Sequence, residues 1–235
     1  MHAPSKISPE FLADGLFRLQ FPAMGTRCEI LYAANSMGAA DIFRKNALDW
    51  VHRFEIRYSR FRDDSLISRI NHAAGRNPVQ IDATDIHSFD MCNTLHFLTE
   101  GLFDPTTLPL SRLWDFKAKN PQVPSESEIR EALSKIGWKK VHRENHSIFL
   151  PETGMGLDFG GFGKEYAVDR VADLAREHEL EDFLIDFGGD VFGSGSPPDA
   201  PAWRVGLEDP RKQGQANRIF SVSGMAVATS GNYRR

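Results

Sequence analysis

The stretch GLDFGGFGKEYAVDR, at residues 156–170, combines residue types that could bind an anionic ligand. It holds four glycines, two aspartates and one lysine where a short apolar run gives way to a helical pattern. Glycines let the backbone approach a ligand closely, and the free N–H groups of a helix start attract anions. Asp158 and Lys164 add an acceptor and a positive charge, which suits a phosphate-bearing ligand with polar groups on a ring. A turn needed only for tight strand-to-helix packing explains the same residues equally well.

Two common phosphate-binding loops do not match this turn. A P-loop has a glycine, four further residues and then Gly-Lys-Ser/Thr. The Gly-Lys pair stands at 163–164, but Asp158 takes the position of the first glycine and Glu165 that of the hydroxyl residue. The dinucleotide fingerprint G-x-G-x-x-G matches at its first two glycines, but bulky Tyr166 takes the third position, where helix and strand must pack closely. The turn therefore belongs to neither loop.

The elements that must position this turn follow from hydrophobic periodicity and from turn and cap signals. In the first half we predict two strands over 17–33 around Pro22–Gly25. Two long helices are predicted over 37–57 and 83–100, the second stopped by Gly101, and a short helix from Asp63 or Asp64 to Asn71. A further helix has a Ser125/Glu128 capping box and ends at Gly137. In the second half we predict a hairpin over 138–151 turning near Glu144–Asn145, a strand over 154–159, a helix over 163–180, and strands within 183–195, 203–210, 218–223 and 225–230. Helices cluster early and strands late, which favours an α+β fold over a doubly wound sheet.

Composition places the chain among ordinary globular proteins. It has 235 residues, of which 41% are hydrophobic and 26% are charged, and we expect one domain over residues 1–235. The net charge of -4 and the lack of a long basic run argue against a nucleic-acid partner. Cys28 and Cys92 do not make a disulfide framework, and we interpret them as two buried thiols.

The start of the chain carries no targeting signal that we recognise. MHAPSKISPEFLADGLF has neither the apolar region nor the small-residue cleavage site of a signal peptide, and no Cys lies near the start to carry a lipid anchor. No run of about 18 apolar residues occurs, so no membrane segment is predicted. We expect a cytoplasmic protein, or a periplasmic or secreted one if a leader has been removed.

Seven motifs occur along the chain in a fixed order. They are AMGT at 23–26, YSRFRDDSLISRIN at 58–71, LFDPTTLPLSRLWDF at 102–116, LDFGGFGKEYAVDR at 157–170, IDFGGDVFGSG at 185–195, WRVGLEDP at 203–210 and VATSGNY at 227–233. Together they resemble the ApbE family of FAD:protein FMN transferases, also called flavin transferases. The resemblance covers the chain from about residue 20 to its end.

The resemblance implies a fold and an activity. The fold would be ApbE-like, with mixed or antiparallel sheets flanked by helices. The enzyme would bind FAD and Mg²⁺, split the pyrophosphate, and transfer FMN to a Ser or Thr hydroxyl of a target protein, releasing AMP. The same cleft would also serve an FAD pyrophosphatase that gives FMN and AMP, or an FAD-binding module without catalysis. The implied partners are FAD and a target protein.

Three motifs imply contacts with the flavin nucleotide. By the resemblance, Met24 should contact the flavin, and Phe61, where the family usually has Tyr, should stack near the cofactor. Leu102, Phe103 and Asp104 match the family's cofactor segment, with Asp104 as an acceptor for the adenine or ribose. Each of three positions also has a purely structural explanation: Met24 as core filler, Phe61 as a helix-face core residue and Asp104 as a turn opener.

The glycine turn carries the remaining site residues that the resemblance implies. Asp158 and Lys164 match FAD contacts, and Gly161 matches a position that offers Mg²⁺ a backbone carbonyl. A main-chain oxygen ligand needs no particular side chain, which fits a run of glycines. The TSG segment at 229–231 is expected along the same cleft, whereas Asp190, after a glycine pair, is interpreted as closing a turn.

The family pattern continues past TSGNY with an H-x-I-D-P motif and a D-A-x-x-T motif, and the printed sequence ends before both. In the family, the first motif supplies a His proposed to activate the target hydroxyl, and the second supplies Asp and Thr ligands for Mg²⁺. None of the eight histidines stands in an H-x-I-D-P context. We therefore expect a C-terminally incomplete chain without a complete metal site, and we assign no catalytic residue. A smaller departure is Glu165, where many members have Gly.

Overall fold

The computed structural model describes residues 7–114, 120, 122–144 and 146–230. The chain divides into two compact units. The first unit is formed by Met1–Glu55 and Phe162–Arg235, and the second unit by Ile56–Gly161. The prediction of one domain over residues 1–235 stays a prediction.

The described residues form helices and antiparallel strands. The helices are α1 Met37–Tyr58, α2 Leu66–His72, α3 Ala83–Leu98, α4 Leu108–Ser111, α5 Glu126–Ser134 and α6 Gly163–Glu177, with a 3₁₀ turn at Trp138–Lys140. The strands are β1 Glu10–Ala13, β2 Leu16–Ala23, β3 Thr26–Ala33, β4 Val79–Gln80, β5 His142–Glu144, β6 Ser147–Phe149, β7 Phe183–Phe187, β8 Val191–Ser194, β9 Trp203–Asp209, β10 Lys212–Val222 and β11 Met225–Val227. The prediction of an α+β fold is confirmed.

A six-stranded antiparallel sheet organises the first unit, in the order β1-β2-β3-β7-β8-β11. β2 and β3 form the hairpin predicted over 17–33, with Ala23 opposite Thr26 in the last register pair. The turn residues Met24 and Gly25 have φ of 50° and 72°. A two-residue turn with φ > 0 at both positions matches the right-handed twist of the strands that it joins.

One apolar cluster joins this sheet to helices α1 and α6 within the first unit. Alternate residues of β2, β3 and β7 are buried, as period-2 strands with one inward face require. Phe43 of α1 and Val171 of α6 belong to the same cluster, together with residues three and four positions away. That spacing predicted both helices, and both are confirmed, although α6 ends at Glu177.

The last strands also follow the predicted order. β9 pairs with β10 in a two-stranded sheet, and β11 pairs with β8 at the edge of the six-stranded sheet. Trp203 at the start of β9 is buried, and its Nε1–H donates to the Ser194 carbonyl oxygen at 2.7 Å. Within the part of the chain that the structure describes, no helix is both long and apolar enough to cross a bilayer.

Both cysteines are free and buried, as predicted. Burial raises the pKa of the Cys28 thiol to about 12, and burial also raises the pKa of Cys92. Since the thiolate is the reactive form of cysteine, both side chains act as apolar packing groups.

The second unit contains α2 to α5 and a three-stranded sheet in the order β4-β6-β5. The predicted capping box of α5 is confirmed: Ser125 accepts the Glu128 N–H, and the Glu128 carboxylate accepts the Ser125 N–H. α2 begins later than predicted, because Ser65 rather than Asp63 or Asp64 provides the cap. The Ser65 hydroxyl accepts the Ser68 N–H at 3.0 Å, which satisfies a free donor of the first turn.

The strand predicted over 154–159 is absent. The Asn71 side chain accepts the Leu157 N–H at 2.6 Å and donates to the Leu157 carbonyl oxygen at 3.0 Å. The Asp158 N–H donates to the Pro105 carbonyl oxygen at 2.8 Å. These distant partners satisfy backbone groups that a strand would have used in a ladder.

Three predicted ends also differ from the structure. α3 ends at Leu98, and the turn after it passes through Gly101 with φ of 87°. α5 ends at Ser134, and Gly137, with φ of 148°, precedes the 3₁₀ turn instead of closing the helix. The predicted 138–151 hairpin is shorter, because its first residues form that 3₁₀ turn. Asn145, at the predicted turn, lies outside the described residues.

Candidate functional site

The predicted site residues are divided between the two units. The first unit contains Met24 and Lys164, and the second contains Phe61, Leu102, Phe103, Asp104, Asp158 and Gly161. Within the first unit, Lys164 forms an ion pair with Asp190, which was predicted only to close a turn. Within the second unit, Phe61 and Asp158 are joined through Arg60, another residue that was not predicted.

Met24 holds a strained position in the β2–β3 turn. Its φ of 50° is unusual for a residue with a side chain, and Asn or Gly would adopt it at lower cost. Its N–H donates to Glu55 Oε1 at 2.9 Å, and its side chain packs partly buried against the core of the first unit. Strained residues cluster at functional sites, so the position suits a ligand contact, and the flavin contact itself stays a prediction.

Lys164 lies in the first turn of α6 and forms an ion pair with Asp190. The Lys164 side chain is 31% exposed, whereas that of Asp190 is 5% exposed. Asp190 follows Gly188 and Gly189, whose φ of 71° and 97° reverse the chain between β7 and β8. Asp190 therefore does more than close a turn, because it also holds the lysine. A carboxylate directly after a Gly-Gly turn between two strands was the available signal in the sequence.

A second carboxylate, Asp186, lies at the end of β7 beside this pair. Burial raises its pKa, and the negative charges of Glu29 and Asp190 raise it further. A hydrogen bond from the Gly189 N–H, at 2.8 Å from Asp186 Oδ1, acts in the opposite direction, as does the positive charge of Lys164. The positive charge at the start of α6 thus lies among carboxylates that are mostly withdrawn from solvent.

The predicted TSG segment contacts the same glycine pair through its first residue. The Thr229 hydroxyl donates to the Gly189 carbonyl oxygen at 3.0 Å, and a Cβ on Gly189 would collide with that hydroxyl. Gly189 is therefore required both by its left-handed φ and by this close approach. Ser230 is exposed, and Gly231 lies outside the described residues.

Asp158 joins three of the motif segments within the second unit. Its Oδ2 lies 2.8 Å from Arg60 Nε in an ion pair, and its Oδ1 accepts the Gly160 N–H at 2.9 Å. Its own N–H donates to the Pro105 carbonyl oxygen at 2.8 Å. The glycine turn and the motifs at 58–71 and 102–116 therefore meet at one residue, the first two through the carboxylate of Asp158 and the third through its main-chain N–H. Its predicted role as an FAD contact stays a prediction.

Phe61 is 81% exposed, and the guanidinium carbon of Arg60 lies 4.1 Å from its ring centroid. A cation at this distance over an aromatic face is attracted by the ring quadrupole. The alternative interpretation of Phe61 as a helix-face core residue is wrong, because the residue is exposed and lies between α1 and α2. An exposed ring of this kind suits stacking against a planar ligand.

Asp104 is engaged by its own neighbourhood in the second unit. Its Oδ1 accepts the Thr106 N–H at 2.8 Å and also the Thr106 hydroxyl. Its Oδ2 accepts the Trp138 N–H at 2.9 Å and lies 3.9 Å from His96 Nδ1. These bonds make Asp104 the opener of a turn. A further contact with adenine or ribose stays a prediction.

The two residues before Asp104 differ in their surroundings. Leu102 is almost fully exposed, whereas Phe103 is partly exposed and its N–H donates to Thr99 Oγ1 at 2.9 Å. A Cβ on Gly161 would lie 3.4 Å from Phe103 Cε2. The ring edge therefore lies close to one side of the glycine at which the metal ligand was predicted, and Gly161 itself is exposed.

Gly161 offers one oxygen of the kind that Mg²⁺ accepts. Within residues 7–114, 120, 122–144 and 146–230, no group of three or more His, Cys, Asp or Glu side chains could hold a metal ion. Mg²⁺ requires a near-octahedral oxygen shell, commonly with one or two carboxylates. The described residues on their own do not fit a complete magnesium site.

Solved structures share this architecture. Flavin transferase ApbE from Vibrio cholerae superposes with a TM-score of 0.79 at 25% identity, covering 94% of this chain and 73% of that one. The ApbE protein from Thermotoga maritima gives a TM-score of 0.82 at 29% identity, covering 94% of this chain and 72% of that one. The chain is thus an α+β protein with the fold of the flavin transferases, and the predicted ApbE-like fold is confirmed.

The sequence comparison agrees with the fold. The sequence model of the ApbE family matches residues 24–235, and the chain belongs to the ApbE family. It is 27% identical over 229 residues to the FAD:protein FMN transferase of Treponema pallidum, covering 90% of this chain and 63% of that protein. It is 30% identical over 208 residues to a protein of the same name from Klebsiella pneumoniae, covering 87% of this chain and 62% of that protein. The chain therefore spans less than two thirds of the length of these relatives.

Proposed function

We propose that this protein transfers FMN from FAD to a Ser or Thr hydroxyl of a target protein and releases AMP, with Mg²⁺ as its cofactor. Membership of the ApbE family carries the proposal, since the relatives from Treponema pallidum and Klebsiella pneumoniae are named FAD:protein FMN transferases. The partners are then FAD and an acceptor protein. We also propose a cytoplasmic location, or a periplasmic or secreted one if a leader has been removed.

The proposed reaction is a transfer of a flavin-bearing phosphoryl group. The acceptor oxygen bonds to the phosphorus of the FMN half, the P–O bond to the AMP half breaks, and the hydroxyl proton leaves to a base. Catalysis of such a step depends on positioning the groups and on neutralising charge at the phosphate oxygens. Bound Mg²⁺ would supply part of that neutralisation, and the Gly161 carbonyl is its one proposed protein ligand.

The charged residues of the first unit support a role in binding the pyrophosphate. The Lys164 ammonium lies in the first turn of α6, where the free N–H groups of the helix also favour an anion. Asp190 holds that ammonium by an ion pair. In the proposal, Lys164 binds a phosphate oxygen of FAD and Asp190 orients Lys164.

Product analysis tests the proposal. The protein is incubated with FAD and a peptide library that contains Ser and Thr, in Mg²⁺ or in EDTA. An identical library with Ala at those positions is the matched control. We expect AMP and peptide-bound FMN in equal amounts, only with the Ser/Thr library and only with Mg²⁺. Chromatography measures the AMP, and mass spectrometry detects the FMN phosphoester.

Three other outcomes would contradict the proposed transfer. AMP with free FMN from both libraries would identify an FAD pyrophosphatase. FAD binding without AMP would identify an FAD-binding module. The absence of any FAD binding by the folded protein would exclude all three functions.

A further inference from the structure

We propose that Arg60 and Asp158 form a positioning pair, which holds the Phe61 ring so that one of its faces can stack on a planar ring of FAD. This inference rests on the proposed function. It concerns a contact between side chains of the second unit, and it assigns a role to Arg60, which the resemblance leaves without one.

The geometry around Phe61 is asymmetric. The Arg60 guanidinium lies over the ring, 4.1 Å from its centroid, and yet Phe61 remains 81% exposed. A ring has two faces, so a cation over one face leaves the other for a ligand. An exposed Phe would otherwise sample several rotamers, and ordering it would weaken binding. A cation held over the ring restricts the rotamers of Phe61 before the ligand binds, so less conformational entropy is lost on binding.

Arg60 can hold the ring only if its own side chain is fixed, and Asp158 provides this anchor. Arg60 Nε lies 2.8 Å from Asp158 Oδ2. The other oxygen of Asp158 accepts the Gly160 N–H, and the Asp158 N–H donates to the Pro105 carbonyl oxygen. One carboxylate oxygen of Asp158 is therefore fixed by the Gly160 N–H, and the main chain of Asp158 is fixed by Pro105. Through the ion pair, this order extends from the glycine turn to Arg60 and Phe61.

Arg62 provides a matched control on the same turn. Arg60 and Arg62 are each 29% exposed, and each forms an ion pair with an aspartate, at 2.8 Å for Arg60 and 2.9 Å for Arg62. The partner of Arg62 is the exposed Asp64. Only Arg60 lies over the Phe61 ring. A general effect of removing an arginine from this turn would therefore appear in both variants, whereas a positioning effect would appear only at Arg60.

FAD offers two flat aromatic rings, the isoalloxazine and the adenine, and either has the chemistry that the open Phe61 face requires. FMN and AMP carry one ring each. Measuring the two ligands separately therefore shows which ring stacks on Phe61.

The experiment measures dissociation constants for FAD, FMN and AMP in the unsubstituted protein and in the Arg60→Leu and Arg62→Leu variants. We expect Arg60→Leu to weaken FAD and one of the two halves by about three- to tenfold, a size set by exposed and partly desolvated cation–π contacts. The other half should bind unchanged. Arg62→Leu should change none of the three constants, and urea denaturation should show that both variants are folded under the conditions of the binding measurement.

A double-mutant cycle separates positioning from direct contact. If Arg60 acts through Phe61, the effect of Arg60→Leu should disappear in a Phe61→Leu background. Asp158→Asn should reproduce part of the loss of FAD affinity, because it weakens the ion pair with Arg60 but keeps the shape of the side chain. If FMN is the ligand that responds, its absorption band should also shift on binding to the unsubstituted protein and shift less in Arg60→Leu.

Three results would overturn the inference. Equal constants for Arg60→Leu and Arg62→Leu would remove the positioning role and leave the proposed function intact. An equal loss for FMN and AMP that persists in the Phe61→Leu background would make Arg60 a direct phosphate ligand instead. A folded protein that binds none of the three nucleotides would overturn the proposed function and this inference together.

Discussion

The Lys164–Asp190 ion pair shows how the surroundings of one residue decide what a charge contributes. Asp190 is almost fully buried, and a buried carboxylate that loses its partner keeps its desolvation cost without compensation. Lys135 forms a pair with Glu131 at 2.7 Å, and its side chain is 30% exposed, close to the 31% of Lys164. Glu131, however, is 70% exposed, so water can replace its partner.

Replacing each lysine by methionine should therefore give different losses of stability. We expect Lys164→Met to lower the free energy of unfolding by about 2–4 kcal/mol, because it leaves Asp190 buried and unpaired. We expect Lys135→Met to lower it by less than about 0.5 kcal/mol. Urea denaturation followed by circular dichroism measures both values. Equal losses would mean that solvent reaches Asp190 as readily as it reaches Glu131.

At the scale of elements, Asp85 connects the end of α1 to the start of α3. Arg57 Nε donates to Asp85 Oδ1 at 2.6 Å, and the Tyr58 hydroxyl donates to the same oxygen at 2.8 Å. Asp85 Oδ2 accepts the Asp82 N–H at 2.8 Å and completes a capping box. The Asp85 side chain is fully buried. The box at Ser125, in contrast, is exposed on both sides.

These two boxes predict different costs for the loss of the same capping function. Asp85→Ala should lower the free energy of unfolding by about 3–5 kcal/mol, because Arg57 and Tyr58 would lose a buried partner along with the cap. Glu128→Ala removes the corresponding residue of the α5 box and should cost much less, because water can replace the exposed carboxylate at the Ser125 N–H. Urea titrations of both variants measure the difference. Similar costs would show that the buried network adds nothing to the cap.

At the scale of the whole molecule, the pKa values of carboxylates are shifted in opposite directions in the two units. Burial raises the pKa values of Glu165, Asp169 and Asp186, all in the first unit. In the second unit, hydrogen bonds from neighbouring side chains lower the pKa values of three exposed carboxylates. They are Asp64 beside Arg62, Glu128 beside Ser125 and Glu131 beside Lys135.

This difference predicts opposite pH responses. A raised folded pKa contributes stability that is fully present below the unfolded value, 3.8 for Asp and 4.5 for Glu, and lost as the pH rises through the folded pKa. Asp186 lies in β7, which pairs with β3. These two strands should therefore become more resistant to opening when the pH falls from 7 towards 5. The lowered pKa values contribute stability above the unfolded values and lose it as the pH falls further, so α5 should lose protection in acid.

Hydrogen exchange, corrected for the intrinsic pH dependence of amide exchange, measures the opening free energies of these elements. Asp186→Asn is the test variant, because its side-chain oxygen can still accept the Gly189 N–H. It should stabilise β7 at pH 7 and reduce the pH response of β3 and β7. A pH response that is unchanged in Asp186→Asn would contradict the assignment to that carboxylate.

Much of the fold was predictable because its signals are local. The 17–33 hairpin, the α5 capping box and the helices α1 and α6 follow from alternation, from side-chain caps and from a three- and four-residue apolar spacing. Each of these preferences acts between residues that are close in sequence, so a short window contains the necessary information. The seven ordered motifs likewise predicted a flavin transferase, since each is a short stretch of sequence.

The partners of the charged site residues could not be predicted in this way. No window around Asp158 contains Arg60 or Pro105, and no window around Lys164 contains Asp190. The strand expected over 154–159 failed for the same reason, since the side chain and backbone groups that bind this segment come from elsewhere in the chain. Local periodicity predicted most of the helices and strands, but an ion pair depends on burial and distance. Only chain folding sets those two quantities, because it brings remote carboxylates and cations together and removes water from between them.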